Sequence, residues 1–405
     1  MMRFPENFLW GAATSSYQVE GNNANADWWP WEKKCGHQTS GDACRHYDLY
    51  EQDFDLIKEL NHNAHRLSIE WSRVEPKEGQ FEQKEIDHYV AVIKALRRRG
   101  IEPMVTLHHF TNPVWLAEKG GWENKAVVGL FARYVKVMVA ALKDQVHYWN
   151  TINEPTIVIS HAYLFGWWPP QKKSLWSVKK AQDNMVLAHV TAYRLMKELY
   201  VQDGLPEPMI SIAHHMQDFM ACRDTWLNRF AVEQRYHWLN FSFLDRIEAE
   251  DTMDFIGLNY YSRQLVDVKG LGLYNILGDV CKEGHHAVQK NSLGWDIYPQ
   301  GMYDVLMRLK EYNRPVMITE NGICTEDDAQ RWDFIRDHLA MIHKAIRNGV
   351  DVRGYMHWSL LDNFEWDKGF TPRFGLIAVN YNTQQRTVKA SAKKYAQVCK
   401  FGVLS

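Results

Sequence analysis

The stretch VMITENG, residues 316–322, is a short apolar run that closes with polar residues and carries Glu320. A second stretch, WNTINEP at residues 149–155, has the same form and carries Glu154. Each run predicts a buried strand with its glutamate at the C-terminal end. One such glutamate alone would be interpreted as a helix cap or an arginine partner. Because a carboxylate beside apolar neighbours carries a desolvation cost, two alike indicate a catalytic pair.

Apolar runs of this length recur along the chain and alternate with helical patterns. One helical pattern places apolar residues from Ile86 to Leu96 and ends at Gly100, and another opens after Asn124. Alternation of strand and helix predicts a parallel sheet, and eight such units close into a barrel. We therefore predict an α/β fold, a single-domain (β/α)8 TIM barrel over residues 1–405 with its active site at the C-terminal ends of the strands. The predicted strands are residues 8–13, 65–69, 103–107, 148–152, 209–213, 255–259, 316–319 and 354–358.

The two glutamates follow the fourth and the seventh predicted strands, so a barrel would bring both to its mouth. Paired carboxylates that face one cavity are the minimum for hydrolysis of a glycosidic bond, since one protonates the leaving oxygen and the other attacks or stabilises the anomeric carbon. Other strand ends carry polar and aromatic residues, which predicts a pocket for sugars. These are Gln18, Glu20, Arg66, Glu70, His108, His109, Asn259, Tyr260, Tyr261, Trp358, Glu365 and Trp366.

Composition fits a sugar substrate and disfavours other partners. Aromatic residues make up 13% of the chain and include 17 Trp, whose indole rings can pack on the apolar face of a sugar. The net charge is −2, from 47 basic and 49 acidic residues, so no overall field attracts nucleic acid. No stretch reaches the roughly 18 apolar residues of a membrane helix, and residues 1–6 lack the apolar core of a signal peptide. We expect a soluble, cytoplasmic protein with no nucleic-acid and no membrane partner.

Two further expectations concern the cysteines and one long connection. The six cysteines show no Cys-x-x-Cys spacing, which predicts reduced thiols and argues against a zinc ribbon. The least regular stretch, residues 262–299, predicts a long loop that forms a wall or lid of the active site.

Three motifs resemble those of glycoside hydrolase family 1, the β-glucosidase family, and the resemblance covers essentially the whole chain. Residues 8–21 (FLWGAATSSYQVEG) resemble its amino-terminal signature, residues 318–322 (ITENG) its nucleophile signature and residues 151–155 (TINEP) its acid/base signature. The resemblance implies a retaining exo-β-glycosidase that hydrolyses terminal non-reducing β-D-glucosyl residues, with β-galactosyl or β-fucosyl activity in addition. It implies no cofactor and no metal, and the substrates would be small β-glycosides or oligosaccharides.

Carried over by position, the resemblance assigns roles to individual residues. Glu320 would be the nucleophile, which must be ionised, and Glu154 the acid/base, which must start protonated about 5 to 5.5 Å away. A cation at Arg66 would favour the ionised form of Glu320. Tyr261 and Asn259 would support the nucleophile in the same cluster. The sugar hydroxyls and ring would be bound by Gln18, His109, Asn153, Trp358, Glu365 and Trp366.

The resemblance also bears on the sugar and on its leaving group. A negative Glu365 near O4 and O6 would repel a phosphate, which argues against 6-phosphoglycosides. Phe110 stands where the family more often has Trp, and residues 165–171 (FGWWPPQ) replace a usual Ala-Pro-Gly ending. Both departures lie toward the outer cleft, so they leave the leaving-group preference open.

Two other classes of protein are the alternatives. A metal-dependent barrel hydrolase would draw ligands from the histidine pairs, but adjacent residues on a strand point to opposite faces, so each pair offers one ligand to the mouth. A catalytically silent sugar-binding relative would be missing a carboxylate, and both glutamates are present. The histidine pairs are His108-His109, His214-His215 and His285-His286.

Overall fold

A computed structural model describes residues 1–270, 279–281 and 288–405 of the chain. Eight parallel strands pair in sequence order, and the eighth pairs with the first, so the sheet closes into the predicted barrel. Each strand overlaps one of the eight apolar runs. The strands are β1 Leu9–Ala13, β2 Ala64–Ser68, β3 Glu102–His108, β4 Tyr148–Asn153, β5 Met209–Ala221, β6 Ile256–Asp267, β7 Val316–Asn321 and β8 Val352–Trp358.

A helix after each strand packs on the outside of the barrel. The helix predicted to end at Gly100 ends at Arg98. Gly100 has a φ of 69°, a positive value that is unfavourable for residues with a side chain. The last of these helices likewise ends before Gly402, at φ 60°. The helices are α1 His46–Glu59, α2 Gln83–Arg98, α3 Val127–Leu142, α4 Leu175–Gln202, α5 Ser242–Ala249, α6 Pro299–Leu309, α7 Asp328–Arg347 and α8 Ala390–Phe401.

Shorter elements fill several connections. Strand Ile377–Val379 pairs with Arg386–Val388, and strand Met2–Arg3 pairs with Val403–Leu404, both antiparallel. The short helical segments are Ser16–Val19, Trp28–Cys35, Trp71–Val74, Val114–Glu118, Gly121–Glu123, Pro155–Val158, Ile159–Leu164, Trp226–Arg235, Tyr236–Phe241, Lys310–Tyr312 and Trp366–Lys368.

The barrel strands are almost entirely buried because both of their faces are covered. Small and flexible side chains fill the inside of the ring, among them Ala13, Ala64, Met104, Met317 and Met356. A larger apolar layer separates the outside of the ring from the helices. A parallel sheet buried on both faces gives continuous apolar runs, and for this reason the strands could be recognised in the sequence.

Strands β5 and β6 are longer than predicted. Beyond the barrel they continue as a parallel ribbon in which Asp218 is paired with Arg263 and Ala221 with Val266. The end of β6 also pairs with a short strand, Asp279–Val280. The expectation of a loop from residue 262 is therefore wrong for residues 262–267, because polar residues here gain ladder hydrogen bonds from a neighbouring strand.

The cysteine expectation is wrong for one pair. Cys222 and Cys281 form a disulfide with their Cα atoms 6.0 Å apart, whereas Cys35, Cys44, Cys324 and Cys399 are free thiols. Cys222 directly follows β5, and Cys281 follows the strand that pairs with β6. The fold thus brings together two cysteines that are 59 residues apart in sequence. None of the described helices combines the length and the apolar character needed to span a bilayer.

Candidate active site

Arg66 lies on β2 and is completely buried at the bottom of the barrel mouth. Its Nη1 donates to Glu320 Oε1, and its Nη2 donates to Asn153 Oδ1 at 2.7 Å. Its Nε donates to Thr106 Oγ1 at 3.1 Å, so each side of the planar guanidinium has a partner. One fixed cation therefore contacts the end of β7 and the end of β4 together.

The second oxygen of Glu320 is held by Tyr261. The Tyr261 hydroxyl donates to Glu320 Oε2 at 2.5 Å. Glu320 lies within β7 at its C-terminal end and is 3% exposed, so its carboxyl has little access to bulk water. Arg66 and Tyr261 are its two protein donors. Bonds to both oxygens fix the orientation of the carboxyl group.

Glu154 follows β4 in a left-handed backbone conformation, with φ 43° and ψ 57°. Its N–H donates to the carbonyl of Ala213 on β5 at 2.6 Å. Its Oε1 accepts from Asn259 Nδ2 at 2.7 Å and lies 3.6 Å from His215 Nδ1. A positive φ at a non-glycine residue is uncommon and concentrates at functional sites.

Asn259 links the two halves of the carboxyl pair. Thr319, the neighbour of Glu320, donates through Oγ1 to Asn259 Oδ1 at 2.6 Å, which orients the amide so that its nitrogen faces Glu154. The same nitrogen lies 3.2 Å from Asn153 Oδ1. The hydrogen bonds of Arg66, Asn153 and Asn259 thus join both glutamates in one network.

The protonation tendencies of the two glutamates run opposite to the expected order. Burial raises the pKa of Glu320 to about 7, even though Arg66 and Tyr261 favour its ionised form. Burial also favours the neutral form of Glu154, but His215 and Asn259 outweigh it and leave the pKa of this carboxyl below its usual value. The sequence expectation omitted His215, and the two carboxyls titrate as one interacting pair.

The sugar-side residues form a layer of aromatic rings next to this network. Asn153 Nδ2 donates to His109 Nε2 at 3.1 Å, which places the imidazole proton on Nδ1. The His109 ring is nearly parallel to Trp358, with centroids 6.0 Å apart, and to Trp366, with centroids 6.2 Å apart. His109 therefore connects the carboxyl pair with the two tryptophans.

Glu365 and Gln18 complete this layer. Trp358 Nε1 donates to Glu365 Oε1 at 3.3 Å. Gln18 is fully buried and donates to Asn363 Oδ1 at 3.0 Å and to the Phe364 carbonyl at 2.8 Å. Burial raises the pKa of Glu365 to about 8, which favours its neutral form. Burial thus works against the negative charge on which the expected repulsion of a phosphate depends.

Aromatic rings continue from the site toward the surface. Trp366 contacts Trp168, and Trp168 contacts His161 with a centroid distance of 4.5 Å. His161 packs edge-on against Trp167, which stacks on Phe165 at 4.5 Å. Trp167 is 57% exposed and Phe165 is 42% exposed. We call Phe165 and Trp167 the outer aromatic pair.

The two histidine pairs that the structure describes turn their members in opposite directions. In each described pair the second histidine faces the cleft, whereas His108 Nε2 bonds with Asn112 and His214 Nε2 bonds with the carbonyl of Asn240. His285 and His286 lie outside the described residues. Across the part of the chain that the structure describes, no cluster of His, Cys, Asp or Glu could hold a metal ion.

Most of the predicted site residues come together, and others join them. The residues that meet at the mouth are Gln18, Arg66, His109, Asn153, Glu154, Asn259, Tyr261, Glu320, Trp358, Glu365 and Trp366. Four predicted pocket residues have other partners: Glu20 bonds with Arg73, Glu70 with Ser72, His108 with Asn112 and Tyr260 with the Tyr298 carbonyl. Thr106, Thr319 and His215 contact the catalytic network, and Asn363 fixes Gln18. Thr319 lies inside the ITENG motif and could have been proposed from its position. The contact of His215 with Glu154 depends on how β4, β5 and β6 are arranged in space, and no local pattern reports it.

Comparison with known proteins gives matches over the full chain. The sequence profile described as Glycosyl hydrolase family 1 matches residues 1–249 and 227–402. Beta-glucosidase A of Thermotoga maritima is 34% identical over 98% of this chain and 98% of its own length.

Solved structures match equally well. A beta-glycosidase from Pyrococcus horikoshii superposes with a TM-score of 0.93 at 36% identity and covers 100% of this chain and 96% of its own. The beta-glucosidase from Thermotoga maritima in complex with glucoimidazole also has a TM-score of 0.93, at 32% identity, with 100% of both chains covered.

Proposed function

We propose that this chain, which belongs to glycosyl hydrolase family 1, is a β-glucosidase that removes terminal non-reducing β-D-glucosyl residues with retention of configuration. The observation that carries the proposal is the network in which Arg66 and Asn259 hold two carboxyl groups at one barrel mouth. The catalytic unit would be a single domain over residues 1–405. Galactosyl and fucosyl β-glycosides are proposed as further substrates.

In the first step Glu320 attacks the anomeric carbon of the substrate. Glu154 gives its proton to the glycosidic oxygen, and the bond between that oxygen and the anomeric carbon breaks. Glu320 suits the nucleophile role because both of its oxygens are oriented by donors, Arg66 and Tyr261. Those donors can move their hydrogen bonding to the remaining oxygen as the covalent bond forms.

In the second step a water molecule attacks the anomeric carbon of the glycosyl-enzyme. Its proton passes to Glu154, and the electron pair of the ester bond returns to Glu320, which restores the starting state. Glu154 suits the acid/base role because the contacts found for it in the described residues are on Oε1. Its Oε2 is left to face the leaving oxygen or the water.

Recognition of the sugar is assigned to the aromatic layer and its polar neighbours. The Nδ1 proton of His109 has no protein acceptor among the described residues, so it is available to a sugar hydroxyl. Asn153 would bind the 2-hydroxyl, and Glu365 with Gln18 would bind hydroxyls on the far side of the ring. Trp358 would supply the stacking surface and Trp366 a further donor.

A cytoplasmic location is part of the proposal and has mixed support. Four free thiols fit a reducing compartment, whereas the Cys222–Cys281 disulfide fits an oxidising one. Cell fractionation with a compartment marker would decide between them.

A panel of aryl β-glycosides that differ only in the sugar tests the function. We expect turnover of the glucoside, with galactoside and fucoside also cleaved, and we expect the first-formed glucose to be the β-anomer by NMR. Release of the α-anomer would show inversion and overturn the mechanism. Absence of turnover by folded protein would favour a sugar-binding relative, and loss of activity in chelator that zinc restores would favour a metal-dependent hydrolase.

A further inference from the structure

His215 lies beside the acid/base, and the two-step reaction gives it no role. Its Nδ1 is 3.6 Å from Glu154 Oε1, which is too long for a direct hydrogen bond but close enough for strong electrostatic interaction. Its side chain is 16% exposed, on the cleft side of β5. We propose that His215 is a positioning residue that, when protonated, favours the ionised form of Glu154 and so promotes the second, deglycosylation step. This inference rests on the proposed function.

The register of the strands fixes this contact. His215 on β5 is paired with Asn259 on β6, and Asn259 donates to the same oxygen of Glu154. The Tyr261 ring lies nearly parallel to the imidazole, with centroids 6.0 Å apart. Two neighbouring strands therefore place a neutral donor and a titratable ring on one carboxylate oxygen.

Other titratable groups face His215 from each packed element. They are Glu154 after β4, Tyr261 on β6, His161 in the segment Ile159–Leu164 and His214 on β5 itself, with Arg66 and Glu320 behind Glu154. Burial lowers the pKa of His161 and of His214 to about 4, so both rings are neutral near pH 7. His215 differs from these two rings in that its side chain is partly exposed to the cleft and lies 3.6 Å from the Glu154 carboxyl.

The charge on His215 acts oppositely on the two steps. Glycosylation needs the protonated form of Glu154, which a cation 3.6 Å away disfavours. Deglycosylation needs the ionised form, which the same cation stabilises. A protonated His215 therefore slows the first step and assists the second, and a neutral replacement should do the reverse.

The experiment compares His215→Asn and His215→Gln with the parent protein. For 4-nitrophenyl β-glucoside, kcat/KM at its pH optimum should rise by up to about tenfold, because an opposite charge at this distance lowers a carboxyl pKa by about 1 to 3 units and its removal lets Glu154 hold the shared proton more often. For 2,4-dinitrophenyl β-glucoside, where deglycosylation limits the rate, the acid limb of kcat should move up. His237→Asn is the matched control, since His237 is exposed in the connection between β5 and β6.

A structural role for His215 would lower both rates without moving the acid limb, and that result would overturn the inference. A second arm does not depend on turnover: the carboxyl carbon of Glu154, labelled with ¹³C and assigned with Glu154→Gln, is titrated by NMR. Its midpoint should rise in His215→Asn, and an unchanged midpoint would also overturn the inference. If the parent protein shows no hydrolysis, the proposed function fails while this titration still tests the contact.

Discussion

Arg66 and Asn153 are joined by a 2.7 Å hydrogen bond from Nη2 to Oδ1, while the other arm of the same guanidinium contacts Glu320. One side chain therefore orients both Asn153, which precedes the proposed acid/base, and Glu320, the proposed nucleophile. A lysine has a single ammonium group and cannot reach both partners with the same geometry.

Arg66→Lys should reduce kcat/KM by about 10²-fold or more, because hydrogen bonds to charged groups contribute about 1.5 to 3 kcal/mol each. The measurement is steady-state hydrolysis of an aryl β-glucoside, together with thermal unfolding to verify the fold. Arg353→Lys is the control, since Arg353 forms an exposed pair with Asp351 and should leave the rate unchanged. A tenfold loss or less would mean that Arg66 does not orient the pair.

Azide should rescue the two glutamate variants with opposite stereochemistry. In Glu320→Gly, azide takes the place of the nucleophile and a single displacement gives the α-glycosyl azide. In Glu154→Ala, azide attacks the glycosyl-enzyme in place of water and gives the β-glycosyl azide. Coupling constants from NMR identify each product, and the same anomer from both variants would reverse or remove the assigned roles.

The pH dependence of kcat/KM should be bell-shaped, with its alkaline limb near pH 7. At low pH both carboxyls carry protons, so the nucleophile is lost. At high pH both are ionised, so the acid is lost. Burial raises the pKa of Glu320 to about 7 while the pKa of Glu154 is lowered, so the last proton leaves the pair near neutrality. Full activity maintained to pH 9 would contradict this.

Gly322→Ala should displace Trp358. A Cβ at position 322 would lie 1.9 Å from the Trp358 carbonyl oxygen, so the backbone beneath the stacking surface has to shift. We expect a destabilisation of about 1 to 3 kcal/mol and a higher KM for glucosides. Gly129→Ala is the matched control, because nothing lies within 4 Å of a Cβ at this position in α3, and it should stabilise by about 0.5 to 1 kcal/mol. Equal stability of the two variants would show that the close approach is tolerated.

Trp167→Ala should weaken binding of the leaving group and leave binding of the sugar unchanged. The outer aromatic pair is exposed and is connected to Trp366 through His161 and Trp168, so it is placed to contact the leaving group rather than the glucosyl unit. KM should rise several-fold for aryl glucosides and oligosaccharides, with little change for methyl β-glucoside. Trp226→Ala, which removes another exposed indole, is the control. Equal losses on all substrates would argue against a leaving-group site.

The eight strands and the carboxyl pair could be predicted because their signals are local. A strand covered on both faces is a short apolar run, and a glutamate at its end is visible within seven residues. The ribbon of β5 and β6 could not be predicted in the same way. Its residues Gln217, Asp218 and Arg263 are polar, and they form strands because of a partner about 45 residues away. The disulfide and the contact of His215 with Glu154 arise from the same non-local pairing.

The left-handed backbone of Glu154 has a consequence for directed evolution. The fold itself prefers glycine at a positive φ, whereas the proposed mechanism requires a carboxyl group there. A library randomised at position 154 and screened only for heat resistance should therefore become enriched in glycine and lose hydrolytic turnover, and a screen for turnover should return glutamate at the cost of a lower melting temperature.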